Sequence, residues 1–405
     1  MDHAANPASV EEKYVMSARL KQWSFIFIIV GLIGIIASFF IYTGDEGTKH
    51  IWATLVLVAT YFQGITISSG FFLAATYVAY GGWQTALRRV PEAIAMVVPV
   101  TALMLFFVLV VPNFIYGYHP VYDWTNKAVV QNDPVIQAKT PYLNLPFFII
   151  RFIFFVGILT TLIYLMRRNS VKEDSHPEIK YYRNNLKWGS LFLVFFAVYI
   201  LVMNWDWLMS IDAHWYSTMF GWYAFASNWV NGVAVITLII IYLKRKNYLP
   251  QVNNNHLHEM GLLMFAFSIF WTYVTFDQFM LIWYANIPEE TEYFRMRYDH
   301  FMVFFYLIWI INFIAPFLVL MSRDAKRKMQ VLTVAAIIIV IGHFIDYYLM
   351  VYPVTVHVPQ FGLIEISALL FFAGVFVYSV FTNLGKANLM PKHDPFLQES
   401  LHHSI

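Results

Sequence analysis

The chain has 405 residues, of which 60% are apolar and only 12% charged, with a formal net charge of +2. Soluble domains carry about a quarter of their residues as charges, so a water-soluble globular protein is excluded, and no basic run with interleaved aromatics offers a surface for nucleic acid. Cysteine is absent, which excludes disulfides, thiolate-held iron–sulfur clusters and haem attached through C-x-x-C-H, and assigns any metal redox centre to partner chains.

The first 20 residues are polar and mixed in charge. The apolar run after them is of full length and no small-residue cleavage site follows it, so no removable signal peptide is expected. Apolar windows then succeed one another at 22–42, 51–80, 93–116, 147–166, 187–208, 220–243, 258–284, 301–321, 330–352 and 361–383. About 20 apolar residues at about 1.5 Å rise cross a hydrocarbon core about 30 Å thick, so each window predicts one transmembrane helix. Window 51–80 is too long for one crossing and predicts a span with a helical extension, or a tilted helix. The fold class is therefore all-α: a polytopic integral membrane protein of about ten transmembrane helices. A single transmembrane domain occupies residues 1–405, with an amino-terminal tail at 1–21, a membrane region at 22–383 and a carboxy-terminal tail at 384–405.

Basic residues set the orientation. With a cytoplasmic amino terminus, 20 of the 26 Lys and Arg fall in the inside segments, and only Lys49, Lys127, Lys139, Arg295 and Arg297 fall outside; Arg151 lies in a span. This alternation follows the positive-inside rule across ten spans and predicts a multi-pass protein of a bacterial cytoplasmic (inner) membrane with both termini cytoplasmic. Trp23, Trp52, Trp83, Trp188, Trp205, Trp207 and Trp283 cluster near span ends, as in the interfacial belt that anchors membrane proteins among lipids. The longest outside loop, 117–146, contains His119, Pro120, Pro134, Pro141 and Pro146. It predicts an ordered cap, serving either as a docking surface for a partner or as a simple connection.

Ionisable side chains inside spans are costly and are functional candidates by default. These are Arg151, Asp206, Asp277, His343, Asp346 and Glu365. At about 1.5 Å per residue, Asp277 and Asp346 lie roughly 10 Å from the outer ends of their spans, Arg151 and Glu365 roughly 6 Å, and Asp206 less. The carboxylates therefore gather in the outer half of the membrane, and only His343 is near the midplane. His343, Asp346 and Tyr347 stand at i, i+3 and i+4, on one helix face. Asp346 and Glu365 lie at similar depth on consecutive antiparallel helices; if they face each other, repulsion holds at least one of them protonated. Two readings stand side by side: a proton wire from His343 outward, and a neutral hydrogen-bonded packing cluster. Arg151 and Asp206 form either a structural ion pair or a contact for an anion or quinone headgroup.

Thr60, Gln63, Gly64, Thr66, Ser68, Ser69 and Gly70 of the second span have the small and hydroxyl character that brings membrane helices close together. Ser227, Asn228 and Asn231 in the sixth span, and Thr275, Asp277 and Gln278 in the seventh, predict polar bundle interiors. His50, His119, His214, His300 and His357 are read at or beyond span ends, so no bis-histidine haem or haem–copper centre is expected. No metal ligand set and no nucleotide motif appears.

Two segments carry a family likeness: Asp206-Trp-Leu-Met-Ser-Ile-Asp-Ala-His-Trp-Tyr-Ser-Thr-Met-Phe-Gly221 and Phe276-Asp-Gln-Phe-Met-Leu-Ile-Trp-Tyr-Ala-Asn-Ile-Pro-Glu-Glu290. Together with the ten-span layout along nearly the whole chain, they resemble the NrfD-like (PsrC-like, polysulfide-reductase-type) membrane subunits of bacterial alternative complex III, and the F subunit more than the longer C subunit. That resemblance implies two four-helix bundles, helices 2–5 and 6–9, flanked by helices 1 and 10. It implies a role in a respiratory quinol:cytochrome c or quinol:electron-acceptor oxidoreductase, as a non-haem subunit taking part in electron transport through its partners, with the chemistry centred on those partners. They would be a paralogous NrfD-like subunit holding quinol or menaquinol, multihaem and monohaem cytochrome c subunits carrying haem c, and an iron–sulfur subunit, all among membrane lipids. The proposed part of the F-like subunit is proton translocation or assembly. On the residues, Asp277, His343, Asp346, Tyr347 and Glu365 are the proton-path candidates, with Asp206 and Arg151 as an outer gate or clamp. Asp212 and His214 serve either as exit groups or as a cap at the start of helix 6. The alternatives are a scaffold subunit without proton conduction and a secondary transporter; unbroken helices, with only Pro99 and Pro316 internal, argue against the transporter.

Overall fold

A computed structural model of the chain describes residues 13–404; the first part of the predicted tail 1–21 lies outside the described residues. Among the described residues, ten helices are long and apolar enough to cross a membrane: α1 (Ala18–Ile41), α2 (Gly44–Val78), α3 (Arg89–Ile115), α4 (Leu145–Glu173), α5 (Ile179–Trp207), α6 (Met219–Arg245), α7 (Asn254–Ala285), α8 (Pro288–Leu320), α9 (Met329–Thr355) and α10 (Leu363–Leu384). Each apolar window overlaps one of them. Ten crossings put the segments before α1 and after α10 on one face, the termini face, and the segment joining α3 to α4 on the opposite, loop face.

The helices outrun their windows where the backbone keeps its hydrogen bonds past the apolar stretch. α2 is one continuous helix of 35 residues, about 50 Å long, which explains the overlong window. α8 starts at Pro288, in sequence that reads as a polar loop, with Pro at its first position and Glu289 and Glu290 in its first turn. Both features favour a helix start. α8 is also not regular: Phe301 departs from helical geometry (φ −123°, ψ 26°), and Ile310–Ile314 form a π turn just before Pro316. A proline inside a helix lacks an N–H and crowds the preceding turn, and a widened turn relieves both. The expectation of unbroken helices is corrected at α8 and also at α3, which is interrupted at Met96–Val97, just before Pro99.

Packing follows two rings. α2 touches α3 and α5, α3 touches α4, and α4 touches α5; α6 touches α7 and α9, α7 touches α8, and α8 touches α9. α2, α5 and α6 form the seam between the rings, and α1 lies along α10 outside them. The apolar window of α2 is wholly buried, against 28% for α1. Close approach at the seam needs Gly64, where a Cβ would fall 1.8 Å from Asn228 Oδ1. Trp52 and Trp207 are buried in this packing, while Trp23 and Trp283 stay exposed. Of the expected belt, Trp83, Trp188 and Trp205 are half-buried, whereas Trp52 packs on Phe39 and Trp207 on Phe152 in the interior.

On the termini face, residues that read as loop charges form a buried network. Arg88, Arg89 and Arg167 surround Glu92, with Arg89 Nη1 2.9 Å from Glu92 Oε2 and Arg167 also bonded to that oxygen. Ser170 Oγ donates to Glu92 Oε1 at 2.5 Å, Arg89 Nη2 reaches Asp174 at 2.6 Å, and Arg88 bonds Asp394 of the carboxy-terminal tail. That tail folds back further through Ser400, whose hydroxyl donates to the Trp83 carbonyl at 2.7 Å and accepts the Ala86 N–H at 3.0 Å. On the loop face, 117–146 is an ordered cap containing two short helices, Lys127–Asn132 and Pro134–Lys139. Asp133 accepts the Val135 and Ile136 N–H groups and holds His214 at 2.6 Å. The Ile136 amide, ahead of His214, keeps the Asp133 carboxyl below the usual range.

Beneath the cap, buried His119 Nδ1 accepts the Val121 N–H at 3.1 Å, so Nε2 carries the proton that it donates to the Val108 carbonyl at 3.1 Å. Burial pushes its protonation down to about 3 from an ordinary 6.5. The unfolded segment then binds a proton that the folded one refuses. The cap is at full stability above about pH 6.5 and loses it as the pH falls toward 3. Emission of the nearby Trp124 is expected to change along that limb in the wild type and to lose the limb in His119→Gln. Removing one partner of a buried charge cluster costs about 3–5 kcal/mol. Glu92→Ala, which strips three arginines of their shared carboxylate, is therefore expected to lower the thermal midpoint sharply, whereas Glu178→Gln, in an exposed pair with Lys180, changes it little.

Candidate functional site

α9 brings two ionisable groups into the interior of the second ring. Asp346 is nine residues from the loop-face end of α9, about 14 Å along the axis, and is fully buried. Tyr223 of α6 donates its hydroxyl to Asp346 Oδ1. Trp271 of α7 donates Nε1–H to Oδ2 at 2.9 Å. His343 of α9 approaches the same oxygen with Nδ1 at 3.6 Å, and that nitrogen is also 3.0 Å from Ser227 Oγ. The Trp271 ring meets the imidazole edge-on, 5.6 Å between centroids. His343 Nε2 is buried and without a hydrogen-bond partner among the described residues. Three helices thus converge on one carboxyl group, and two of its neighbours, an imidazole and a phenol, can themselves exchange protons.

Tyr347, one residue on, turns toward the seam and donates to Asn228 Oδ1. It borders a cavity of about 10 Å³ shared with Gly64, Tyr199 and Asn204, room for about one water. The helix-face spacing therefore divides: His343 and Asp346 share the bundle interior, and Tyr347 belongs to the seam.

Glu365 does not face Asp346, so the condition for repulsion between the two acids is not met. Its Oε1 takes His50 Nε2 at 2.5 Å and the Tyr352 hydroxyl, with Thr54 Oγ1 at 3.5 Å, and its Oε2 accepts the Gly362 N–H at 2.7 Å. A carboxylate has about four acceptor sites, and here they are occupied while the group caps the first turn of α10. His50, read at a span end, lies inside α2 and is buried. The two acids are kept apart because the α9–α10 turn is too short to fix facing: direction around each axis, set by packing, decides it.

Arg151 and Asp206 form a bidentate ion pair, Nε to Oδ2 at 2.7 Å and Nη2 to Oδ1 at 3.0 Å, with Arg151 Nη1 on the Tyr142 carbonyl at 3.0 Å. Asp277 stands apart. It is half-buried between exposed Phe276 and Met280, has no hydrogen-bond or ion-pair partner among the described residues, and is not part of the cluster around Asp346. Asp212 accepts the His214 and Trp215 N–H groups at 3.2 Å each. It closes a turn ahead of α6 instead of capping that helix, which begins at Met219 after Thr218. Exposed His214 is clasped to Asp133.

The sequence marks none of Tyr223, Trp271 and Tyr352, and places His50 only at a span end. Their types are common in apolar spans, and no spacing marks them, since each meets its acid from another helix. An apolar groove of about 580 Å³ lies beside the site, lined by Phe62, Phe304, Phe344 and Tyr348, with Gln360 at its polar edge; a flat amphipathic molecule would fit there. Overpacking costs about 1–3 kcal/mol, so Gly64→Ala is expected to lower the thermal midpoint by driving Asn228 from Tyr347. Gly157→Ala, where a Cβ meets nothing, is expected to leave it unchanged or raised. No family model matches the chain, and no curated protein matches it.

Proposed function

We propose that this chain is a membrane subunit of a respiratory quinol oxidoreductase of the alternative complex III type, and that its second bundle passes protons toward the loop face. The single observation that carries the reading is Asp346: a carboxyl group buried at the centre of a four-helix ring, bonded to a phenol and flanked by an imidazole. Quinol oxidation releases two protons with two electrons, and a partner chain that holds quinol needs an outlet for them. In the relay, a proton on His343 Nδ1 moves to Asp346 Oδ2 as the 3.6 Å gap closes. Rotation of the carboxyl group then carries that O–H to the side of Tyr223, whose hydroxyl oxygen accepts the proton as its own proton leaves toward the loop face. The ten-span layout and the two motif segments support the respiratory assignment, and the lack of cysteine fits a subunit whose redox centres sit in partners.

A scaffold reading has one observation in its favour. Glu365 and Asp206 are each locked to fixed donors, as packing groups are. The two readings separate at Asp346. An amide at that position cannot carry the proton, and positioned acid–base groups contribute about 10²–10⁴-fold. Asp346→Asn is therefore expected to slow proton release on the loop-face side of the assembled complex about 100-fold or more, with assembly and haem content retained. Glu365→Gln is expected to leave release near wild type. Wild-type release in Asp346→Asn would leave the scaffold reading in possession.

A further inference from the structure

The second bundle also buries a guanidinium that the relay leaves unused. Arg297 of α8 is only 3% exposed, although its sequence context reads as loop. Its Nη1 donates to the Tyr293 carbonyl at 2.6 Å, and its guanidinium lies 3.3 Å over the Tyr293 ring. Its Nη2 is buried with no hydrogen-bond partner among the described residues. Arg297 and Asp346 stand on neighbouring helices, each nine residues from the loop-face end of its own, yet no ion pair joins them among the described residues. An unpaired N–H on a buried cation is costly, so a partner for Nη2 in another state of the protein is the physical expectation.

The first bundle contains the closed form of the same device. Arg151 stands on α4 and Asp206 on α5, the third and fourth helices of that ring; Arg297 and Asp346 stand on α8 and α9, the third and fourth helices of the other. Arg151 also bonds a tyrosine carbonyl, that of Tyr142, and also lies over that ring, at 4.0 Å. There the guanidinium reaches the carboxylate with two bonds. In the second ring the carboxyl is held instead by Tyr223 and Trp271. The Arg297 platform is joined to the loop face as well: Tyr293 stacks on Trp215 at 4.0 Å and 15°, and Trp215 donates its N–H to Asp212.

We propose that Arg297 gates Asp346: its Nη2 swings onto the carboxyl group as the first bundle's arginine does, expelling the proton toward Asp212. The inference rests on the relay reading. In the step, the O–H bond at Asp346 breaks and an O–H bond forms at the Asp212 carboxylate; the guanidinium keeps all its protons and no electron moves. Arg297 is a positioning residue, and the charged or titratable groups around Asp346 are Tyr223 of α6, Tyr293 and Arg297 of α8, and His343 and Tyr347 of α9.

The test is infrared spectroscopy of the full chain in lipid vesicles, following the protonated-carboxyl band assigned to Asp346 by its loss in Asp346→Asn. Removing the cation is expected to raise the pH at which half of that band disappears by about one unit or more in Arg297→Gln, a tenfold change in proton affinity. Arg297→Lys, which keeps the charge, is expected to stay nearer wild type. An unchanged midpoint in Arg297→Gln overturns the gate. If Arg297→Gln does not fold, the doubly neutral Arg297→Gln/Asp346→Asn decides: restored folding supports the coupling, and failure to restore it overturns it. The band reports the arginine–carboxyl coupling whether or not proton release depends on Asp346, so the gate and the relay fail separately.

Discussion

A helix in hydrocarbon has no water to satisfy its polar groups, so each buried polar side chain must find its partner inside the protein. That constraint organises this molecule. The two rings share α2, which is surrounded by other helices and has its polar side chains turned onto neighbours: Thr54 to Tyr352, Gln63 and Thr66 to Thr101, Tyr61 to the Val340 carbonyl. The same demand acts at the termini face, where seven charged side chains, three basic and four acidic, are drawn into a network that fastens the carboxy-terminal tail to the start of α3. A network of this kind opposes separation of α3, α4 and the tail, because each charge left alone would be stranded away from water.

Against that background, the acids differ in how completely they are satisfied. Glu365 has donors on both oxygens and caps a helix; Asp206 is clamped by a forked guanidinium. Neither has a free direction in which to pass a proton. Asp346 is bonded as well, but one of its two donors is a phenol that can exchange protons, with a histidine nearby whose second nitrogen is unpartnered and an arginine nearby with an idle N–H. Other buried atoms lack a hydrogen bond too, Arg88 Nη2 and Asn312 Nδ2 among them; what sets Asp346 apart is that a phenol, an imidazole and an arginine gather round one carboxyl group. The proposed relay and the proposed gate both draw on that grouping.

Ten spans, the all-helical class and the candidate acids were legible in the sequence because hydropathy reports burial in lipid directly, one residue at a time. The limits of that signal show at particular residues. Arg297 was counted with the outside loop charges because its neighbours are polar, yet α8 continues through it and folds it inward. His50 was placed beyond a span end by a single residue. Asp277 and Asp346 read alike in depth, but one is half-exposed beside Phe276 and the other is sealed among three helices.

The sequence by itself determined the solvent: the length and number of its apolar runs demand a bilayer, and the alternation of basic segments predicts which way they cross. Depth along each helix followed only to within about a turn, because α9 runs on to Thr355 and α10 begins at Leu363. Only the tertiary structure decided the meetings between helices. It paired Glu365 with His50 instead of Asp346, gave Asp346 its Tyr223 and Trp271, and closed one arginine–aspartate pair while leaving the other open. The physical reason is that rotation about a helix axis is set by packing against neighbours distant in sequence, and no local pattern of residues encodes it.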